Sequence, residues 1–178
     1  MILSDRSIRE EIGSGRLQVD PYDPALINPA SMDFRLGGSF HKVFTAPGYT
    51  IIDPTNKDSF ITQKVADEKY KLQPREFIIA HTLETIKVPD DIAVEIRGKS
   101  SLGRLGIGNS SMAGYIDPGF GAPVTLEIFN YLDKEVLLKE EMKIGQFLFH
   151  RLDSPAESPY NITGRYNNQN PGAGSQGV

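Results

Sequence analysis

The sequence predicts an all-β protein, a barrel or sandwich with one short helix at its N-terminus. From about residue 31 the chain breaks into ten short runs rich in Val, Ile, Phe, Tyr and Thr, separated by Pro, Gly, Asn and Asp. Helix-period patterning is confined to the first dozen or so residues. With 178 residues, 39% of them hydrophobic and 24% charged, there is material for one well-buried domain and little for two.

In chain order, Ser4 is placed to cap a helix whose apolar positions Ile8 and Ile12 lie one turn apart, with Gly13 and Gly15 to close it. The strand-like runs follow: SMDFRLGG, FHKVF, YTIIDP, KYKLQP, EFIIAHT, ETIKVPDD, IAVEIRGK, APVTLEIFN, EVLL and KIGQFLFHRL. No repeat or linker interrupts them, so residues 1–178 read as a single domain. Residues 159–178 hold little to bury and much Asn, Gly and Gln, and by themselves read as a mobile tail.

Composition removes several chemistries. The chain has no cysteine, which excludes disulfides, thiol nucleophiles, Cys-ligated zinc and iron–sulfur clusters. MILSDRSIREEIG carries charges where a signal peptide needs an apolar core, and no later run approaches membrane-spanning length, so a cytoplasmic protein is expected. A net charge of −4 argues against a broad nucleic-acid footprint but leaves room for a small cationic pocket.

Such a pocket is offered by EIRGKSSLGRLG. Gly98, Lys99 and Ser100 look like the end of a P-loop, but the first glycine of that motif would fall at Ala93, and the preceding residues alternate as a strand. What survives is Arg97, Lys99 and Arg104 around Ser100 and Ser101. In PVTLEIFN, Thr125, Glu127 and Phe129 share one face and Val124, Leu126 and Ile128 the other. A carboxylate between Thr and Phe is costly to desolvate unless paired, which is how general bases are made; pattern alone leaves open whether that face meets solvent. AGYIDPGFG has the make-up of a tight hairpin that a ligand can approach closely, with Asp117 either a turn residue or a ligand. Arg35 is expected to pair with Asp33 or another carboxylate. His41, His81 and His150 stand on separate runs without metal-site spacing.

Together these segments resemble the dCTP deaminase branch of the dUTPase-like superfamily, over nearly the whole chain. MILSDRSIREEI with INPASMDFRLG resembles its opening, GKSSLGRLG its phosphate loop, AGYIDPGF its pyrimidine hairpin, VTLEIFN its catalytic strand, KIGQFLF a core strand and PYNITGRYNNQ its closing tail. The resemblance implies a distorted jelly-roll barrel, a homotrimer with sites between subunits, and hydrolysis of dCTP to dUTP and ammonia. Zinc deaminases need a His or Cys trio on the metal, so here a carboxylate must activate water unaided. By resemblance Glu127 is the base and proton shuttle, while Ser100 and Arg104 position water and stabilise the adduct. Lys99 and Ser101 bind phosphates, Ala113, Gly114, Tyr115 and Ile116 form the base hairpin, and Asp117 lies near the sugar. Tyr160, Arg165, Tyr166 and Gln169 close over the triphosphate. Magnesium is expected on the phosphates rather than in a protein cage.

Two departures stand out. The family usually carries Arg where this chain has Lys99, and a His-containing segment tied to dTTP feedback is replaced by Ser110 and Ser111. Gly114 resembles the members that also hydrolyse dUTP to dUMP and diphosphate, with Asp117 orienting the second water. The alternatives are a dUTP diphosphatase without deaminase activity and a catalytically idle nucleotide-sensing relative.

Overall fold

The computed structural model describes residues 1–109 and 113–178. Helix α1 (Asp5–Gly13) begins where expected: the Ser4 hydroxyl accepts from the Ser7 N–H, and Ile8 is fully buried. Gly15, at φ +75, turns the chain away.

The strands are β1 (Gln18–Asp20), β2 (Ile27–Asn28), β3 (Ser31–Arg35), β4 (Ser39–Thr45), β5 (Phe60–Asp67), β6 (Lys69–Leu72), β7 (Phe77–Lys87), β8 (Ile92–Gly98), β9 (Ile107–Asn109), β10 (Tyr115–Ile116), β11 (Gly121–Asn130), β12 (Val136–Lys139) and β13 (Lys143–Arg151). Two further short helices are α2 (Ser100–Gly103) and α3 (Tyr160–Thr163). One sheet runs β5-β4-β7-β11-β9 with β1 added to β7; a second runs β10-β8-β13-β3-β2; β12 and β6 form a separate ribbon. All these pairings are antiparallel. The expected all-β class is therefore what the chain adopts. Both sheets send alternate residues into one core, where Phe34, Phe147, Ile78, Val94, Leu126 and Ile128 are fully buried and the Phe34 and Phe147 rings lie 4.5 Å apart.

Two segments depart from the reading of the sequence. EFIIAHT and ETIKVPDD are one strand, β7, because a buried Thr82–Glu84 bulge replaces a turn: Thr82 Oγ1 donates to Glu84 O at 2.6 Å and accepts from Val124 N at 2.9 Å. YTIIDP is not a strand. The Asp53 carboxylate accepts from Thr55 N and Oγ1, folding a turn that leaves Ile51 exposed, and the strand comes later as β5, whose exposed middle, Gln63 to Val65, interrupts the alternation.

Arg35 pairs with Glu84 rather than with Asp33: the fully buried Glu84 accepts from the Arg35 backbone N–H at 2.8 Å and from its Nε at 2.7 Å. Among the described residues no helix is long and apolar enough to cross a membrane.

Arg35→Met leaves the Glu84 charge buried and unpaired, a cost of about 3–5 kcal/mol. The urea midpoint is expected to fall with the slope unchanged; a midpoint equal to that of the parent refutes this role for the pair.

Candidate active site

Strand β11 buries alternate residues, with Val124, Leu126 and Ile128 in the core and Thr125, Glu127 and Phe129 half-buried on the other face. That face meets a cavity of about 460 Å³ rather than bulk solvent. Glu127 and Thr125 line it, with the hairpin residues Ala113, Tyr115, Ile116 and Asp117 on one side and Tyr160, Tyr166 and Gln169 of the tail on another.

Glu127 Oε2 and Thr125 Oγ1 are buried with no hydrogen-bond partner among the described residues. Burial raises the Glu127 pKa above the ordinary carboxylate value, and the backbone N–H of Ala113 pulls weakly the other way. A carboxylate in this state is a stronger base than one in water, and the residue lines a space large enough for a nucleobase and a water.

The hairpin is held on β8: Tyr115 and Ile116 pair with Glu95 and Val94, and Ile96 N donates to the Gly114 carbonyl at 2.8 Å. Phe120 N closes the turn on Asp117 O. The tail is anchored rather than loose. The Tyr160 ring packs on Phe120 with ring centroids 5.8 Å apart, Gln169 Nε2 donates to Pro123 O at 3.1 Å, and Asn167 Oδ1 accepts from Gly121 N at 2.9 Å. Farther on, Gly172 lies against the His41 ring and Gly174 against Thr62, and Ala173 to Ser175 cover the cavity. Arg165 lines a second cavity of about 440 Å³ that shares Asp117, Tyr160 and Tyr166 with the first, and its Nη1 donates to Gly177 O at 2.6 Å.

The loop residues lie elsewhere. Lys99, Ser100, Ser101 and Arg104 flank and form α2 and do not line the cavity of their own chain. Ser100, Ser101 and Arg104 are exposed, while Lys99 is half-buried with Nζ 2.7 Å from Asp33 Oδ1. Ser110 and Ser111 lie outside the described residues. Among the described residues no group of three His, Cys, Asp or Glu side chains is placed to hold a metal ion. His81 is engaged by Thr82 O and Ser39 Oγ.

The sequence reading missed the cavity's apolar wall, Val43, Phe77 and Ile79. These are ordinary strand residues, and only the pairing of β4 and β11 with β7, which sets Glu127 opposite Ile79, brings them to the carboxylate.

A family model described as dCTP deaminase-like matches residues 2–152. The chain is 50% identical over 163 residues to a protein of Beutenbergia cavernae named "dCTP deaminase, dUMP-forming", spanning 90% of this chain and 84% of the relative. A protein of the same name from Streptomyces avermitilis is 48% identical over 163 residues, spanning 90% and 85%. Among solved structures, the 2′-deoxycytidine 5′-triphosphate deaminase of Agrobacterium tumefaciens matches with a TM-score of 0.63 at 25% identity, over 84% of this chain and 47% of that one, so the chain spans about half of its length.

The raised pKa of Glu127 has a consequence for stability. The folded chain favours the protonated acid, so the group's contribution is present below its unfolded pKa and is lost as pH rises through the folded value. Glu127→Gln is therefore expected to raise Tm at pH 7, by up to about 3 °C for a chain of this size, and to leave it unchanged near pH 4. A Tm lowered at pH 7 refutes the assignment.

Proposed function

The chain belongs to the dCTP deaminase-like family, and we propose that it hydrolyses dCTP to dUTP and ammonia and then cleaves dUTP in the same site to dUMP and diphosphate. The observation that carries the reading is Glu127, half-buried on the wall of a base-sized cavity, with Oε2 unpartnered among the described residues. The dUMP-forming relatives and Gly114 in the hairpin support the second step.

The cytosine ring enters between the Ala113–Ile116 hairpin and the Val43–Ile79 wall, where backbone groups read its edge. Glu127 removes a proton from water as the oxygen bonds to C4, and delivers it to N3, giving a neutral tetrahedral adduct. A second transfer through the same carboxyl, from the new hydroxyl to the exocyclic amine, lets ammonia leave as the C4 carbonyl forms. One water is consumed and one ammonia released, and the enzyme ends in its starting protonation state. The apolar wall keeps the carboxylate poorly solvated and hence basic enough for the first transfer.

Ser100 and Arg104 position the water and stabilise the developing charge, and they come from a neighbouring copy, because the same chain does not bring them to Glu127's cavity. A homotrimer satisfies this with three equivalent sites. Tyr160, Arg165, Tyr166 and Gln169 close over the triphosphate, and Asp117 orients the water that attacks phosphorus. With no protein cage for a metal among the described residues, magnesium arrives on the phosphates, where it screens their charge. The setting is the cytoplasmic supply of deoxynucleotides.

Incubation with dCTP and Mg²⁺ is expected to release ammonia and dUMP without accumulating dUTP. Persistent dUTP would limit the activity to deamination, and consumption of dUTP with dCTP untouched would leave a diphosphatase. Glu127→Gln is expected to abolish ammonia release, a loss of at least about a thousandfold, while nucleotide binding survives. Mixed after unfolding together, Glu127→Gln and Ser100→Ala chains are expected to regain roughly a quarter of parental activity, the share of sites with both intact groups in randomly assorted trimers. A mixture as inactive as its parts removes the shared site.

A further inference from the structure

Asp33 is 3% exposed, on strand β3. Its Oδ1 accepts from Lys99 Nζ at 2.7 Å and from Asn28 Nδ2 at 2.9 Å, and its Oδ2 lies 3.5 Å from Lys143 Nζ. Both lysine side chains reach this buried anion while keeping part of their surface open to solvent, that of Lys99 25% exposed and that of Lys143 51%. The sheet register explains why they meet there. Gly145 of β13 pairs with Gly98 of β8, so Lys143, at the start of β13, and Lys99, just past the end of β8, lie at the same end of this strand pair. One carboxylate thus carries two ammonium groups, one of them on Lys99, which opens the loop bearing Ser100, Ser101 and Arg104.

We propose that Lys143 is a further triphosphate-binding residue, and that Asp33 is the positioning residue that presents Lys143 and Lys99 together at this loop. The proposal rests on the nucleotide-hydrolase reading above. A single buried carboxylate opposed by two lysines leaves one positive charge in excess, and Arg104 follows as an exposed cation at the end of α2. Two acids on neighbouring strands, Glu84 and Glu95, are engaged by Arg35 and Arg97. Holding both stems on Asp33 also reduces the conformational freedom that a triphosphate would otherwise have to freeze on binding.

The same geometry gives a reason for lysine at position 99. A guanidinium there could engage both carboxylate oxygens of Asp33 at once. A lysine occupies Oδ1 and leaves Oδ2 to Lys143, so the cation is duplicated rather than merely replaced.

The test uses the intact oligomer and two readouts: steady-state turnover of dCTP with Mg²⁺, and calorimetric affinity for inorganic tripolyphosphate, which needs no deaminase chemistry. Lys143→Gln is expected to raise KM for dCTP and weaken tripolyphosphate about tenfold, the loss of one charge-assisted contact, with kcat within about twofold. Inhibition by deoxycytidine, which has no phosphate, is expected to be unchanged, and Lys143→Arg to restore the parental KM. Asp33→Asn, with its fold verified by near-UV circular dichroism, is expected to lower kcat about tenfold as well, because the Ser100 loop loses its anchor. Unchanged KM and tripolyphosphate affinity in Lys143→Gln, with the parent turning over dCTP, overturn the proposal and leave the activity standing. A parent that binds tripolyphosphate, loses that affinity on Lys143→Gln and yet releases no ammonia upholds the anion site and overturns the activity. A kcat unchanged in folded Asp33→Asn removes the positioning role.

Discussion

Strand β11 is the constraint on which the rest of the molecule depends. A two-residue period ties each cavity-facing side chain to a core-facing neighbour, so Glu127 is held between Leu126 and Ile128, both fully buried. The strand cannot turn Glu127 to the opposite face without a register slip that would also expose Leu126 and Ile128. This is how a barrel keeps an acid in a half-apolar setting that the acid itself disfavours: the free energy of burying the core face of β11 offsets the desolvation on the other.

The partner strand makes room for that arrangement. Between Pro123 and Thr125 the pairing with β7 slips by two residues, which preserves the phase of both strands, and the extra residues on β7 are spent on a buried polar cluster. Thr82 bridges to Val124 and to Glu84, and Glu84 reaches Arg35 on the opposing sheet. The two sheets are therefore fastened by hydrogen bonds and an ion pair close to the place where the cavity opens, and the wall behind Glu127 is firm.

Much of this was legible in the sequence, for physical reasons that differ by element. The helix α1 announces itself through Ser4 and the spacing of Ile8 and Ile12, and β11 and β13 through alternation that a half-buried strand requires. β5 was illegible because its middle, Gln63 to Val65, is exposed and breaks the alternation, and the continuity of β7 because its break is filled by buried Thr and Glu rather than by turn residues. Of the site, Glu127 and the hairpin could be picked out by residue type, and the tail only by resemblance, since its composition alone reads as unstructured. Val43, Phe77 and Ile79 carry no local signal at all; their role comes from pairing. The same holds for Asp33, whose partners, Lys99 and Lys143, are distant in sequence and meet only through strand register.

The covering segment near the C-terminus makes its closest approaches without side chains of its own. Gly172, at φ +69, rests on the imidazole of His41, Gly174 rests on Thr62, and a methyl group at either glycine would collide with that neighbour. Tolerance to substitution along this stretch is therefore set by the room around the backbone, and the two bare positions are constrained by shape. An alanine there, chemically inert, would push the cover off His41 or Thr62 through its methyl group alone.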